Sequence, residues 1–471
     1  MTRNQSPDRF SGLLAATAMG VYLLLLVGAT TAVTDAASAC AAWPACGDGW
    51  MLPTTAAGAL ALAHRIAAVA VGVLVVGVAV AAWRDRTRRT RVRSALALAA
   101  LLYPVQAALG AVVATSPTSP TLAAAHLVLG LAIFGGMVAA LAWTLERTTG
   151  DPDDDPDLDP ADLGRDLPPA SDADRPAIPD DRIGRLRATI GAYVRLTKPR
   201  LMWLLCLVAG AAMALAGGPG LSPRVVLATL GGGVLAIGAS GTFNHVFERD
   251  VDRRMSRTSD RPLAVDLIPV RHAVAFGLAL ALGSLALFAS INLLAAVLGL
   301  AAILFYSVVY TLLLKPHTVQ NTVIGGAAGA LPALIGWAAV TGTVGVGGLA
   351  IAGVIFLWTP AHFYNLALAY RDDYARGGFP MHPVVRGETA TRKHILWYLG
   401  ATLAAAGALG LAARLDLLYV TTGVVLGAVF LWTVVRLHYE RTEAAAFRAF
   451  HASNVYLGAL LLAVIVDSIV V

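Results

Sequence analysis

Between Asn244 and Leu263 the chain reads NHVFERDVDRRMSRTSDRPL, and within it Asn244, Glu248 and Asp252 stand four residues apart. On a helix four residues advance about 400°, so these side chains drift only about 40° per step and share one face. A row of hard oxygen ligands suits Mg2+, which keeps several waters and is held by one or two carboxylates plus substrate phosphates. Arg249, Arg253, Arg254, Arg257 and Arg261 interleave with and follow that row, and guanidinium groups match phosphate oxygens in both charge and geometry. The arginines alone would fit a solvated loop beside a membrane; the carboxylate row would not. The chemistry this pattern predicts is a grip on a diphosphate, with Mg2+ on Asn244, Glu248 and Asp252.

A second acidic pair, Asp372 and Asp373, closes the stretch WTPAHFYNLALAYRDD. Two facing carboxylate sets suit a metal-bridged diphosphate better than one, so Asp373 is expected to join the metal set. His362 and Asn365 lie about two to three turns before it, where they would meet a ring substrate, although a hydrogen-bonded core histidine reads the same way. Tyr306 and Tyr310 are one helical turn apart on one face, Lys315 follows them, and Asn321 is a further cavity candidate. Lysine is scarce, at Lys198, Lys315 and Lys393 only. Lys198 and Arg200 stand at the start of another apolar run, placed either to anchor at phospholipid headgroups or to reach the diphosphate. Lys315 would neutralise a departing diphosphate, and a lysine snorkelling to the interface would look the same.

The elements that must carry these residues are membrane helices. The chain has 471 residues, 57% hydrophobic and 14% charged, with a mean hydropathy of +0.70. That excludes a soluble enzyme and predicts a polytopic all-α membrane protein with about thirteen spans. The net charge of +6 sits in short arginine-rich loops between spans, as membrane topology requires, and does not point to nucleic acid. No cleavable signal peptide is evident, because the first apolar segment is already of spanning length. Three segments are expected: a four-helix membrane module at 1–145, an Asp- and Pro-rich disordered linker at 146–189, and nine helices at 190–471. Parity from a cytoplasmic start puts the loops 247–269, 314–319 and 371–394 on one face, so all the candidate chemistry is expected at the cytoplasmic side of a cell membrane.

In the first module His64, followed by Arg65, lies in the second span and His126 near the start of the fourth. Imidazoles on two helices of a four-helix bundle are placed either to ligate one haem iron axially or to satisfy backbone carbonyls. The outer loop CAAWPACGDGW carries Cys40 and Cys46, and an oxidising exterior permits a disulfide between them. Cys206, inside a span, reads as a small apolar core residue. C-x2-W-P-x-C-G ahead of a His-Arg span resembles one half of a haem A synthase over about 1–145. In that family a glutamate usually precedes the His-Arg pair by three residues; here the position is Ala61, so the resemblance implies haem binding or delivery more readily than haem oxidation.

Acidic motifs on the second and sixth of nine helices resemble the UbiA-type intramembrane prenyltransferases. N-x3-E-R-D-x-D-x2-M-x-R-T-x2-R-P from Asn244, T-K-P-R from Thr197, K-x2-T-x2-N-x2-I-G from Lys315 and W-x-P-x-H-F…D-Y-x3-G-x-P-M-x-P-V-V from Trp358 are similar to the protoheme IX farnesyltransferase (haem O synthase) branch. His245 and Glu248 stand where the superfamily usually has aspartates, and a further downstream aspartate is missing from the second motif. The resemblance implies that haem B and farnesyl diphosphate are converted with water to haem O and diphosphate, in a chain that works beside haem A synthase and terminal oxidase assembly. Expectations from other classes are a UbiA-type prenyltransferase acting on a quinone precursor or lipid, and a non-catalytic haem carrier.

Overall fold

In a computed structural model the described residues are 8–33, 38–40, 42–46, 52–115, 120–151, 154, 163 and 181–470. Most of the expected linker, at 152–153, 155–162 and 164–180, lies outside them. Among the described residues the secondary structure is helical with no strand. Thirteen helices are long and apolar enough to cross a membrane. They are α1 (Arg9–Val33), α2 (Ala56–Arg84), α3 (Thr90–Thr115), α4 (Pro120–Thr149), α5 (Pro199–Gly217), α6 (Pro223–Phe247) and α7 (Val270–Ala289). Next come α8 (Leu293–Leu304), whose span is completed by the helical stretch that runs on to His317, then α9 (Asn321–Thr341), α10 (Val346–Ala369), α11 (Glu388–Ala412), α12 (Leu417–Glu440) and α13 (Glu443–Val470).

Two compact units emerge. One takes Met1–Asp151 with Arg392–Ala463, the other Pro152–Thr391 with Val464–Val471. The three last spans of the nine-helix segment are thus largely counted with the first four. Within the first unit α1 packs against α2, α4 and α12, and α3 joins α2 to α4. Lipid tails are as apolar as the helices, so close packing against small residues must hold such spans together. Tyr22 of α1 is fully buried with its ring 5.6 Å from Phe134 of α4, and Gly423 and Gly427 of α12 leave room for it. Glu146, at the end of α4, pairs with Arg91 at 2.5 Å and with Lys393 of α11.

In the second unit α6 packs along α7, and α9 packs on α5 and α10. A helix at Arg182–Leu196 precedes α5, and its Ala192 and Leu196 bury against Leu263, Ile268 and Ala273. Beyond α8 the chain widens into a π-helix at Phe305–Leu314 before Lys315. π turns inside helices often mark functional sites. Here the widened stretch carries Tyr306 and Tyr310, and lets the Thr311 hydroxyl donate to the Tyr306 carbonyl at 2.8 Å.

Candidate active site

All of the diphosphate candidates that the structure brings together lie in the second unit. α6 ends at Phe247 and Glu248 caps it, yet the amide of Glu248 still donates to Asn244 O at 2.9 Å and that of Asp252 to Glu248 O at 2.7 Å. The helical path therefore continues, and the side chains of Asn244, Glu248 and Asp252 all lie in the interior, 2%, 5% and 2% exposed. Buried carboxylates need partners. Lys315 Nζ reaches Glu248 Oε1 at 2.6 Å; Arg261 Nη1 holds Asp252 at 2.7 and 2.8 Å and lies 3.7 Å from Glu248. Lys198 Nζ donates to Asn244 Oδ1 and, at 3.3 Å, to the Tyr306 hydroxyl. Asn244 Nδ2 donates in turn to Thr311 Oγ1 at 3.1 Å.

Two carboxylates here face three basic side chains. Burial pushes the Glu248 carboxyl up, but Lys315, Lys198 and Arg261 outweigh it and hold the group below the ordinary glutamate range. For Asp252 burial prevails: with Glu248 adding to it, the carboxyl stays above its ordinary value despite Arg261.

Lys198 reaches the cluster through a strained turn. Its backbone is left-handed, at φ 54° and ψ 57°, immediately before Pro199 opens α5. A non-glycine residue there costs on the order of 1–3 kcal/mol and persists only where its surroundings impose it. Gly241 does so: a Cβ on it would lie 2.8 Å from Leu196 O and 3.3 Å from Lys198 Cγ, so only glycine lets the turn lie this close to α6.

The second acidic motif meets the first through Asp373, which is buried, whereas Asp372 is exposed. Asp373 accepts from the amides of Ser256 at 2.6 Å and Arg257 at 3.2 Å, and pairs with Arg376 at 3.1 Å. Its oxygens tie the two loops together through backbone amides. Met255, Tyr374, Phe379, Met381, Val384 and Val385 form an apolar cluster beneath that tie. Arg257 lies over Tyr370 and Tyr374 and donates to the Tyr374 hydroxyl at 3.3 Å; Lys315 lies 4.2 Å above the Phe379 ring.

Four of the arginine candidates fall outside the cluster. Arg249 pairs with Asp250, and Arg253 with Asp266 at 2.8 Å; Arg200 and Arg254 are exposed. Tyr306 and Tyr310 lie with ring centroids 5.6 Å apart. Asn321 accepts from Thr322 at 2.9 Å and lies 3.5 Å from the Lys315 carbonyl. His362 stacks on Trp358 at 4.2 Å, and Asn365 donates to Ala361 O while its Oδ1 is buried without a partner. Thr311, Tyr374 and Phe379 were not foreseen; only the tyrosine and phenylalanine, as aromatics beside the acidic motif, offered any signal.

Among the described residues no three His, Cys, Asp or Glu side chains converge on a metal position. The donors that come nearest to it are Glu248 and Asp252, which share the one guanidinium of Arg261. Two carboxylates fit what Mg2+ takes from a protein, with substrate phosphates and water as the remaining ligands.

The first unit holds a cavity of about 440 Å³ lined by His64, Arg65, Tyr103, Gln106 and His126. That is within the range of small-molecule sites, roughly 300–1,000 Å³. Gly28 and Gly110 make room for the two imidazoles: a Cβ on them would lie 3.3 Å from His64 Cε1 and 2.9 Å from His126 Cε1. Both Nδ1 atoms are buried without partners. Cys40 and Cys46 form a disulfide, and Arg65 donates to the carbonyls of Cys40, Ala42, Pro44 and Ala45 across that loop.

Comparison with known proteins places this geometry. A model of the UbiA prenyltransferase family matches residues 203–457, more than half of the chain. The chain belongs to the UbiA prenyltransferase family. A protoheme IX farnesyltransferase of Haloquadratum walsbyi is 62% identical over 98% of this UbiA chain and 97% of its own. One from Haloarcula marismortui is 63% identical over 98% of each. Residues 57–163 match a cytochrome oxidase assembly protein model. The solved structure of a digeranylgeranylglyceryl phosphate synthase is similar in fold, with a TM-score of 0.51 and 16% identity, over 60% of this chain and all of that one.

Proposed function

We propose that this chain transfers the farnesyl group of farnesyl diphosphate to a vinyl group of protohaem IX, haem B, giving haem O for terminal oxidases. The observation that carries the reading is the buried cluster in which Lys198, Arg261 and Lys315 outnumber Glu248 and Asp252. Relatives that align over nearly their whole length and carry the name protoheme IX farnesyltransferase support it. Basic side chains buried in excess of carboxylates form a site that an anion completes, and a diphosphate is such an anion.

Lys198, Arg261 and Lys315 bind the diphosphate, and Asn244 orients Lys198 through the amide that Thr311 holds. As the allylic C–O bond breaks, its electron pair passes to the leaving diphosphate, whose charge these cations offset. Mg2+ held by Glu248 and Asp252 would supply further stabilisation of that leaving group. Asp373 keeps the Ser256–Arg257 backbone closed over the site. Tyr306 and Tyr310 give the farnesyl cation an aromatic, water-poor wall. The haem vinyl group attacks C1 of that cation, and water captures the resulting carbocation and loses a proton, leaving the hydroxyethylfarnesyl group.

Residues 190–471 form the prenyltransferase segment of this reading and 1–145 a haem-holding module tethered to it, in a multi-pass protein of the plasma membrane with the diphosphate cluster facing the cytoplasm. His64 and His126 would hold haem in the cavity of the first module. The test is acceptor choice: purified chain supplied with farnesyl diphosphate and haem B is expected to consume haem B and form haem O. Transfer only to an aromatic acid or a lipid alcohol would overturn it.

A further inference from the structure

The cavity of the first unit contains a contact that its ligand reading does not use. Gln106 on α3 donates from Nε2 to the carbonyl of His126 at 3.0 Å, and the same nitrogen lies 3.3 Å from His126 Nε2. One carboxamide NH2 has two hydrogens, and this pair of acceptors uses both. The opposite orientation of the amide would set its oxygen against the His126 carbonyl, two acceptors facing each other. His126 Nε2 therefore accepts, which puts its proton on Nδ1, the atom that is buried without a partner. Leaving a buried N–H unpaired is unfavourable, so the tautomer is imposed by Gln106.

That tautomer leaves the Nε2 lone pair available to a metal once Gln106 moves off it. His64 lines the same cavity, and among the described residues no side-chain amide is hydrogen-bonded to it. We propose that Gln106 is a positioning residue that presets His126 for ligation and must itself be displaced when haem iron binds there, so that His64 is the firm ligand and His126 the exchangeable one. This rests on the haem reading of the cavity. A haem held firmly on one side only can be taken in and passed on more readily than one clamped from both.

The experiment uses the full-length chain in detergent, titrated with ferric haem and followed by absorption and electron paramagnetic resonance. Wild type is expected to show a mixture of high-spin and low-spin haem. Gln106→Leu removes the competing donor, so the low-spin fraction rises and haem binds about fivefold more tightly, the scale of one net hydrogen bond. Gln106→Glu replaces the donor by an acceptor, which holds the proton on Nε2 and drives the low-spin fraction down. His126→Ala should leave high-spin haem and make the spin state insensitive to position 106. Opposite shifts from the two Gln106 variants support the latch, whereas a shift in the same direction or none overturns it while haem binding stands. If the wild type takes up no haem, or His64→Ala binds as wild type does, the haem reading fails and the latch with it.

Discussion

Glu248 and Lys315 form a buried ion pair at 2.6 Å. The folded-state carboxyl of Glu248 lies below its ordinary value, so the pair contributes stability above that value and loses it only as pH falls through the lowered one. Thermal unfolding in detergent should therefore show an acid limb below the usual glutamate range, and Lys315→Met should remove it. Breaking the pair by Glu248→Ala is expected to cost on the order of 3–5 kcal/mol, because Lys315 is then left buried without its carboxylate. The two adjacent aspartates should separate cleanly: Asp373→Ala is expected to lower haem O formation a hundredfold or more and Asp372→Ala to leave it within about twofold, since only Asp373 is buried and bonded to the first motif. The row Asn244, Glu248, Asp252 was legible because its spacing is helical and carboxylates at a membrane boundary are rarely idle. Which of Asp372 and Asp373 matters was not, because adjacent residues differ only in the direction they point.

At the scale of elements, the positions of the cations depend on backbone that propensity does not predict. Lys198 sits left-handed because Gly241 admits the turn, a tertiary fact invisible in TKPR itself. The π-helix at Phe305–Leu314 reads in sequence as an ordinary apolar span, and Thr311 as one of many helix threonines. Its hydroxyl nevertheless joins Asn244 to the Tyr306 carbonyl. Thr311→Val leaves the Asn244 amide without that acceptor, an unsatisfied buried group worth about 1–3 kcal/mol. Turnover should fall about tenfold to a hundredfold, with Thr311→Ser restoring most of it; equal activity of the valine and serine variants would show that the bridge does not position Lys198.

Across the whole molecule, thirteen spans were readable because apolar length alone defines them. The association of α11–α13 with the first unit was not, since a lipid-facing helix carries little trace of its neighbours in composition. Orientation has its own test. In sealed vesicles of known sidedness, with Cys206→Ser, an impermeant thiol reagent should label Asp372→Cys from the cytoplasmic side and miss it from the outside; the reverse would invert the proposed topology. The buried cluster of basic side chains carries the diphosphate assignment, so binding of a non-hydrolysable farnesyl thiodiphosphate, with Mg2+ present, is the measurement that matters most. Wild type is expected to bind it and Lys315→Met to bind at least about thirtyfold more weakly, the scale of a lost buried charge contact, with haem binding unchanged. Equal affinity of the two chains for the analogue would contradict the assignment of the diphosphate to this site.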